Sequence, residues 1–247
     1  MSRSNPGANG AANPAVRWFT WNGEHGVIRY YDKDAKKNID VGSEFTFILL
    51  DQLGSVRGWH DPSESAIISN EVKDTRQDVM VVKAFKGGLL AEGLYKDIKD
   101  RVNAVGGQFV ANCYIAFKLD GRLALGSLRF KGAALGAWMD FTQTHRADVY
   151  TKAVQIHGYT EGKKGRIVFR APVLKVSELS PETNEAAIAL DRELQEFLSG
   201  YLKRNKREQV DAPVEHVRDE DVANDSDGVV YDNANRGEPI TDDDIPF

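Results

Sequence analysis

The sequence predicts a mainly β fold with added α-helices. Short apolar or aromatic runs, divided by Gly, Asn and Asp, recur from residue 16 to about residue 176 and are typical of strands. Three other stretches have helical spacing. The 247-residue chain is 41% hydrophobic and 28% charged, which indicates a globular protein with one large domain and tails rather than two small domains.

Nine segments are predicted as strands from their β-branched and aromatic content and from the turn residues between them. They are Val16–Trp21, Val27–Tyr31, Glu44–Leu50, Val56–His60, Val79–Phe85, Gln108–Leu119, Leu123–Lys131, Thr151–Tyr159 and Arg166–Val176. Pro172 cannot donate a ladder hydrogen bond, so the last segment is expected to break there or to lie at a sheet edge. Asp32, Asp34 and Asp40 are predicted as turn residues.

Three helices are predicted. Apolar residues at helical spacing mark the first, from Leu94 to Val102, and two glycines follow it as a stop signal. Ala133–Thr144 is the second. The third covers residues 181–202, with Ser180 as its N-cap and Pro181 at its first helical position. Its apolar stripe is expected to pack on the β domain.

The order of these elements is compatible with an oligonucleotide-binding-type barrel. That barrel carries a helix between its third and fourth strands, and the first predicted helix directly precedes the long strand Gln108–Leu119. A β-sandwich with extra helices would give the same string of short strands. We expect the barrel, followed by a C-terminal helix.

Charge is divided unevenly along the chain. Residues 209–247 hold twelve Asp and Glu against two Arg, a balance of −10, so the overall −5 conceals +5 in residues 1–208. This division is typical of a nucleic-acid-binding domain with an acidic interaction tail, although solubilising tails share it. We predict a flexible N-terminal arm over residues 1–14, one domain over 15–207 and a disordered acidic tail over 208–247.

Cations and aromatic rings alternate with apolar residues on several predicted strands. Binding a single strand without sequence preference requires cations for the phosphates and exposed rings on which bases stack. The predicted DNA-binding residues are Arg17, Trp21, Arg29, Tyr31, Arg57, Trp59, Lys83, Tyr114, Lys118, Arg129, Lys131, Lys163, Lys164, Arg166 and Arg170. A single ring is more often a core residue than a stacking platform, and five rings are assigned to the core: Trp18, Phe45, Phe47, Trp138 and Phe169.

Catalytic motifs are missing from the sequence. The five histidines have no metal-ligand spacing, and there is no P-loop, GxSxG elbow or CxxC. We therefore expect no catalytic residue, metal or cofactor. Cys113, the single cysteine, excludes an internal disulfide, favours a reducing compartment and is predicted as a buried small hydrophobe. No apolar run approaches the length of a membrane span.

The last six residues combine acidic side chains with an aliphatic residue, a proline and a terminal ring: Asp242, Asp243, Asp244, Ile245, Pro246 and Phe247. A small hydrophobic pocket with a basic rim would bind such a tip. The hexamer resembles the C-terminal tip of bacterial single-stranded DNA-binding proteins, and the layout of domain, helix and acidic tail is similar to that of bacteriophage single-stranded DNA-binding proteins. This resemblance implies docking of host or phage replication and repair proteins on the tip. It adds nothing for residues in the domain.

Together these features lead us to expect a non-enzymatic protein that binds and protects single-stranded DNA during replication, recombination and repair. It would act in the cytoplasm of a bacterial host, away from membranes, and recruit partners through its tip. The alternative is an adaptor that captures host replication proteins without binding DNA. A third hypothesis is a nuclease or annealing enzyme.

Overall fold

The computed structural model describes residues 12–211, with side chains through residue 203. The strands are β1 (Arg17–Asn22), β2 (Val27–Asp32), β3 (Lys37–Gly42), β4 (Glu44–His60), β5 (Ser65–Ser69), β6 (Met80–Ala84), β7 (Gly88–Gly93), β8 (Gly107–Leu119), β9 (Arg122–Lys131), β10 (Ala153–Lys164) and β11 (Ile167–Ser177). The α-helices are α1 (Tyr95–Ala104), α2 (Gly132–Thr144) and α3 (Pro181–Asp211).

All eleven strands join one mixed sheet. Its main path runs β3-β2-β1-β9-β8-β4-β5-β6-β7, and β10 pairs with both β4 and β11. The β1–β9 pair is parallel, and the other pairs are antiparallel. The prediction of a mainly β fold with a C-terminal helix is confirmed. Across residues 12–211, however, the strand pairing follows an open path and not a closed barrel.

The longest strand, β4, forks the sheet. One edge pairs with β8 from Phe47 to Gly58. The other edge pairs with β10 over Glu44–Ile48 and with β5 over Arg57–His60. The sequence predicted two separate strands here. They form one strand because β8 supplies hydrogen-bond partners to the intervening polar and glycine residues, with a register shift after Leu49.

Three strands, β3, β5 and β7, were not predicted. Asp40 lies within β3 and its carboxylate binds Arg29, so its interpretation as a turn residue is wrong. Asp32 does cap a turn, because its Oδ1 accepts hydrogen bonds from the backbone N of Asp34 and Ala35. Pro172 does not interrupt β11, which pairs only with β10, so the predicted edge position is confirmed.

The main core lies on one face of the sheet, which we call the inner face, beneath α1 and α2. Trp138 of α2 is fully buried, stacks on Phe130 at 4.9 Å between centroids, and donates its indole N–H to Gln52 Oε1 at 2.7 Å. Phe47 is buried in the same cluster, and Phe45 packs against it while half-buried. Phe47 and Trp138 thus occupy the core positions predicted for them.

Helix α3 packs on the opposite face, which we call the outer face. Three of its buried apolar residues, Leu194, Phe197 and Leu198, cluster with Leu53 of β4, Tyr114 of β8 and Leu125 of β9. The predicted N-cap is confirmed, because Ser180 Oγ accepts a hydrogen bond from Thr183 N at 3.2 Å. The sheet therefore has apolar cover on both faces.

A buried carboxylate ties α3 to the sheet. Asp51 of β4 is 4% exposed. Its Oδ2 accepts a hydrogen bond from Gln195 of α3 at 3.0 Å, and its Oδ1 accepts one from Gln52 N at 2.6 Å and also binds Lys73. A buried charge needs partners of this kind to offset its desolvation. Asp51 thereby fixes where α3 sits on the outer face.

The β10–β11 hairpin is pinned to the turn between β1 and β2. Arg170 donates its backbone N–H to Gly23 O at 2.8 Å, and its carbonyl accepts the Trp21 indole N–H at 2.8 Å. The Arg170 guanidinium binds the carbonyl of Glu24 and the carboxylate of Glu161. These contacts connect the edge strand β11 with the β1 side of the sheet.

Gly26, in the turn between β1 and β2, allows the β10–β11 hairpin to pack closely against that turn. Its φ of +68° and its closeness to the Tyr159 ring both exclude a side chain, since an added Cβ would lie 2.4 Å from Tyr159 Cδ1. We expect Gly26→Ala to lower the free energy of unfolding by about 2–4 kcal/mol, from backbone strain plus overpacking.

Gly121→Ala is the matched control for this substitution. Gly121 also has a positive φ, +83°, but has nothing within 4 Å of an added Cβ, so only backbone strain of about 1–2 kcal/mol is expected. Urea unfolding curves measure both variants. Equal losses would show that the Gly26–Tyr159 contact does not hold the hairpin.

Candidate nucleic-acid interface

Nine of the fifteen predicted DNA-binding residues lie on the outer face. Strand alternation places them there, because their neighbours on β2, β4, β6, β8 and β9 belong to the inner core. The nine are Arg29, Tyr31, Arg57, Trp59, Lys83, Tyr114, Lys118, Arg129 and Lys131. The alternation inferred from sequence therefore grouped these residues on a common surface.

Four outer-face residues on β2, β1 and β9 form what we call the first array: Trp18, Arg29, Tyr31 and Arg129. Arg29 and Arg129 both pair in register with the small residue Thr20, on either side of it. Trp18 lies two residues from Thr20 on β1. Tyr31 lies opposite Trp18 on β2, because the two residues come directly after the Phe19–Tyr30 pair in the antiparallel register. A row of two cations thus lies beside a row of two rings.

Distances within the first array follow from sheet geometry. The two arginine backbones are two strand spacings apart, about 10 Å, and the ring row lies about 7 Å along the strands from the cation row. Lys33 Nζ adds positive charge 6.0 Å from the Trp18 ring centroid. Arg29 Nε is 3.2 Å from Asp40 Oδ1, which orients the guanidinium at the sheet surface.

Trp18 was assigned to the core from sequence, and this assignment is wrong. It is half-buried on the outer face, whereas Trp21 is 3% exposed on the inner face and donates its indole N–H to Arg170. Trp21 therefore presents no face to a base, contrary to its prediction as a stacking residue. Arg17 shares the inner parity and lies over the Tyr30 ring at 4.6 Å.

Tyr114 is on the outer face but is covered, so its prediction as a stacking ring is wrong. It is 2% exposed beneath α3, and its hydroxyl is 3.4 Å from both Glu71 Oε2 and Asn13 Nδ2. Burial, followed by the nearby Glu71 carboxylate, raises the pKa of Tyr114 above its usual range. Its role is to pack α3.

The remaining predicted cations occupy different surroundings. Lys163 and Arg166 are exposed near the tip of the β10–β11 hairpin, and Lys164 is half-buried beside them. Arg170 holds the β10–β11 hairpin against the turn between β1 and β2. Its guanidinium carbon lies 5.5 Å from the centroid of the Tyr159 ring. Lys118 is exposed six residues along β8 from Asn112, the partner of Arg129, so its backbone lies about 20 Å from that of Arg129.

A second exposed group lies on β4 and β6. Arg57 and Lys83 are half-buried, and Trp59 is 47% exposed. Phe85, at 37% exposure, directly follows β6 and was not among the predicted site residues, although it shares strand parity with Lys83. That parity is the sequence signal for Phe85. For Trp18, the sequence signal is that the alternate positions on the same strand carry two large rings, Phe19 and Trp21. These are the residues expected to face the core, which leaves Trp18 on the opposite face.

The described part of the chain offers no group of three metal-ligating residues. Cys113 is fully buried as predicted, and burial, together with the nearby Asp51 carboxylate, raises the pKa of its thiol. A thiol held protonated and away from solvent is a poor nucleophile. This environment fits a packing role for Cys113.

We expect the folded protein to leave Cys113 unmodified by an aromatic disulfide reagent at pH 8, because both thiolate formation and access are suppressed. The same chain unfolded in urea should release one equivalent of chromophore, matching its single cysteine. Rapid reaction of the folded protein, on the timescale of the unfolded control, would contradict the buried placement.

The predicted partner-binding tip, residues 242–247, lies outside the described residues. No helix between residues 12 and 211 is long and apolar enough to cross a membrane. Comparison of the chain with protein-family models, curated proteins and solved structures gave no match.

Proposed function

We propose that the chain binds single-stranded DNA on the outer face of its sheet. The observation that carries this proposal is the first array, in which Arg29 and Arg129 form one row and Trp18 and Tyr31 the next. A single strand has a line of phosphates beside a line of bases, and the array offers cations and rings in the same relation.

The chemistry of the array favours binding without sequence preference. Ring stacking accepts every base, and arginine contacts to phosphates are independent of sequence. The +5 balance of residues 1–208 adds long-range attraction for the strand. The exposed Lys163 and Arg166 extend this positive charge along the β10–β11 hairpin.

An oligonucleotide-binding-type architecture forms part of this proposal. The helix α1 precedes the long strand β8, as in that barrel. The backbone hydrogen bond between Arg170 and Gly23 supports a sheet that curls toward closure. The acidic tip, residues 242–247, would recruit replication and repair proteins to the coated strand, as its resemblance implies.

A titration of the full chain with a labelled homopolymeric DNA strand at several salt concentrations tests the proposal. We expect binding that weakens steeply with salt, because bound phosphates release counterions. Arg129→Gln should lower the salt slope by about one, whereas the control Lys96→Gln, on an exposed position of α1, should not. Absence of binding at low salt would instead favour an adaptor that does not bind DNA.

Deletion of residues 242–247 tests the tail. Three aspartates compete with DNA phosphates for cations, so the truncated chain should bind the strand more tightly at low salt. Its affinity should also fall more steeply with salt, because its cations release more counterions when they bind phosphates. A matched variant keeps the length and replaces only Asp242, Asp243 and Asp244 by Asn. Unchanged affinity across the salt titration in both variants would reject competition by the tail.

A further inference from the structure

The three-stranded branch formed by β4, β5 and β6 repeats the pattern of the first array. On the outer face, Trp59 pairs with Ala66, and Ala66 accepts a backbone hydrogen bond from Phe85 at 2.9 Å. Trp59, Ala66 and Phe85 therefore form one row of ring, small residue and ring. Two strand spacings, about 10 Å, separate the backbones that carry the two rings.

The neighbouring row has a cation at each end and an isoleucine between them. Arg57 pairs with Ile68, and Ile68 pairs with Lys83. The two cations are again about 10 Å apart, and they lie two residues, about 7 Å, from the rings on their own strands. We call Arg57, Trp59, Lys83 and Phe85 the second array. Neither row contains an acidic residue.

Core packing does not account for these two rings. Trp59 is 47% exposed and Phe85 is 37% exposed, while the interior partner between them, Ala66, is 6% exposed. Each of these exposed rings lies two residues from a cation of the same strand parity, Trp59 from Arg57 and Phe85 from Lys83. Their arrangement matches the needs of a strand with bases on one side and phosphates on the other.

The two arrays are distinct sites on one face. Between them lie Ser55, Val110 and Asn112, which are at most 2% exposed, and Asn112 donates to Ser55 Oγ at 2.7 Å. Arg129 and Arg57 are separated by two strand spacings and four residues along β8, about 15–20 Å. A ligand that reaches both arrays must span this buried strip.

We propose that the second array is an additional single-strand-binding site, in which Trp59 and Phe85 stack bases while Arg57 and Lys83 bind the adjoining phosphates. About 10 Å corresponds to three steps of about 3.4 Å between stacked bases, so the two rings bracket a segment of about two bases. This inference rests on the proposed function, because the same strand is the ligand of both arrays.

Tryptophan fluorescence distinguishes the two arrays. Of the four tryptophans, Trp21 and Trp138 are buried in the core, so quenching by a bound base reports Trp18 in the first array and Trp59 in the second. In Trp18→Phe, a homopolymeric thymidine strand should still quench the emission, through Trp59. In Trp59→Phe, the residual quenching reports Trp18.

Affinity measurements on surface variants complete the test. Phe85→Ala should weaken binding about tenfold, the loss of one stacked base, and Lys83→Gln should lower the salt slope by about one. Tyr150→Ala, which removes a 55% exposed ring outside both arrays, is the control and should leave affinity unchanged. Urea unfolding verifies that each variant is folded.

The outcomes separate the two proposals. If Trp18→Phe shows no quenching while Trp59→Phe is quenched, and Phe85→Ala binds as the unmodified chain does, the strand is confined to the first array and the second-array inference is wrong. The proposed function would then stand. If the unmodified chain shows neither quenching nor a change in the anisotropy of a labelled strand at low salt, both proposals fail.

Discussion

The pairing of β4 with β8 is the interaction on which the rest of the structure depends. It joins β9, β1 and β2 on one side to β5, β6 and β7 on the other, while β10 pairs with the start of β4 on the same edge as β5. The first array lies on the former strands, and the second array lies on β4 and β6. Because one ladder sets the register of both halves, it also sets the distance and direction between the two arrays.

Helix α3 determines which part of the outer face is available. The sheet carries an apolar stripe of Leu53, Tyr114 and Leu125 that must be covered, and the buried Asp51 with Gln195 fixes the helix there. The cations and rings of the two arrays lie on other parts of the outer face and stay at the surface. The docking of α3 thus buries this stripe and leaves both arrays outside the apolar clusters that the helix covers.

Strand alternation predicted much of this arrangement from sequence, since Arg29 with Tyr31 and Arg57 with Trp59 do share a face. Which parity faces outward on β1 depends on how Phe19 and Trp21 enter the core, and Tyr114 is hidden only because α3 docks on it. Both are tertiary effects that local pattern does not contain. The strands β5 and β7 were not predicted for a related reason. Their short segments contain Ser, Gly and Glu, and they are extended because they pair with neighbouring strands.

We propose that DNA occupies the outer face at both the first array and the second array. Ultraviolet cross-linking of the full chain to a homopolymeric thymidine strand, with peptide mapping by mass spectrometry, tests it most directly. We expect adducts in peptides that contain Trp18 or Tyr31 and in peptides that contain Trp59 or Phe85. Adducts confined to Tyr150, or to the exposed residues of α1 and α2, which cover the inner face, would contradict it.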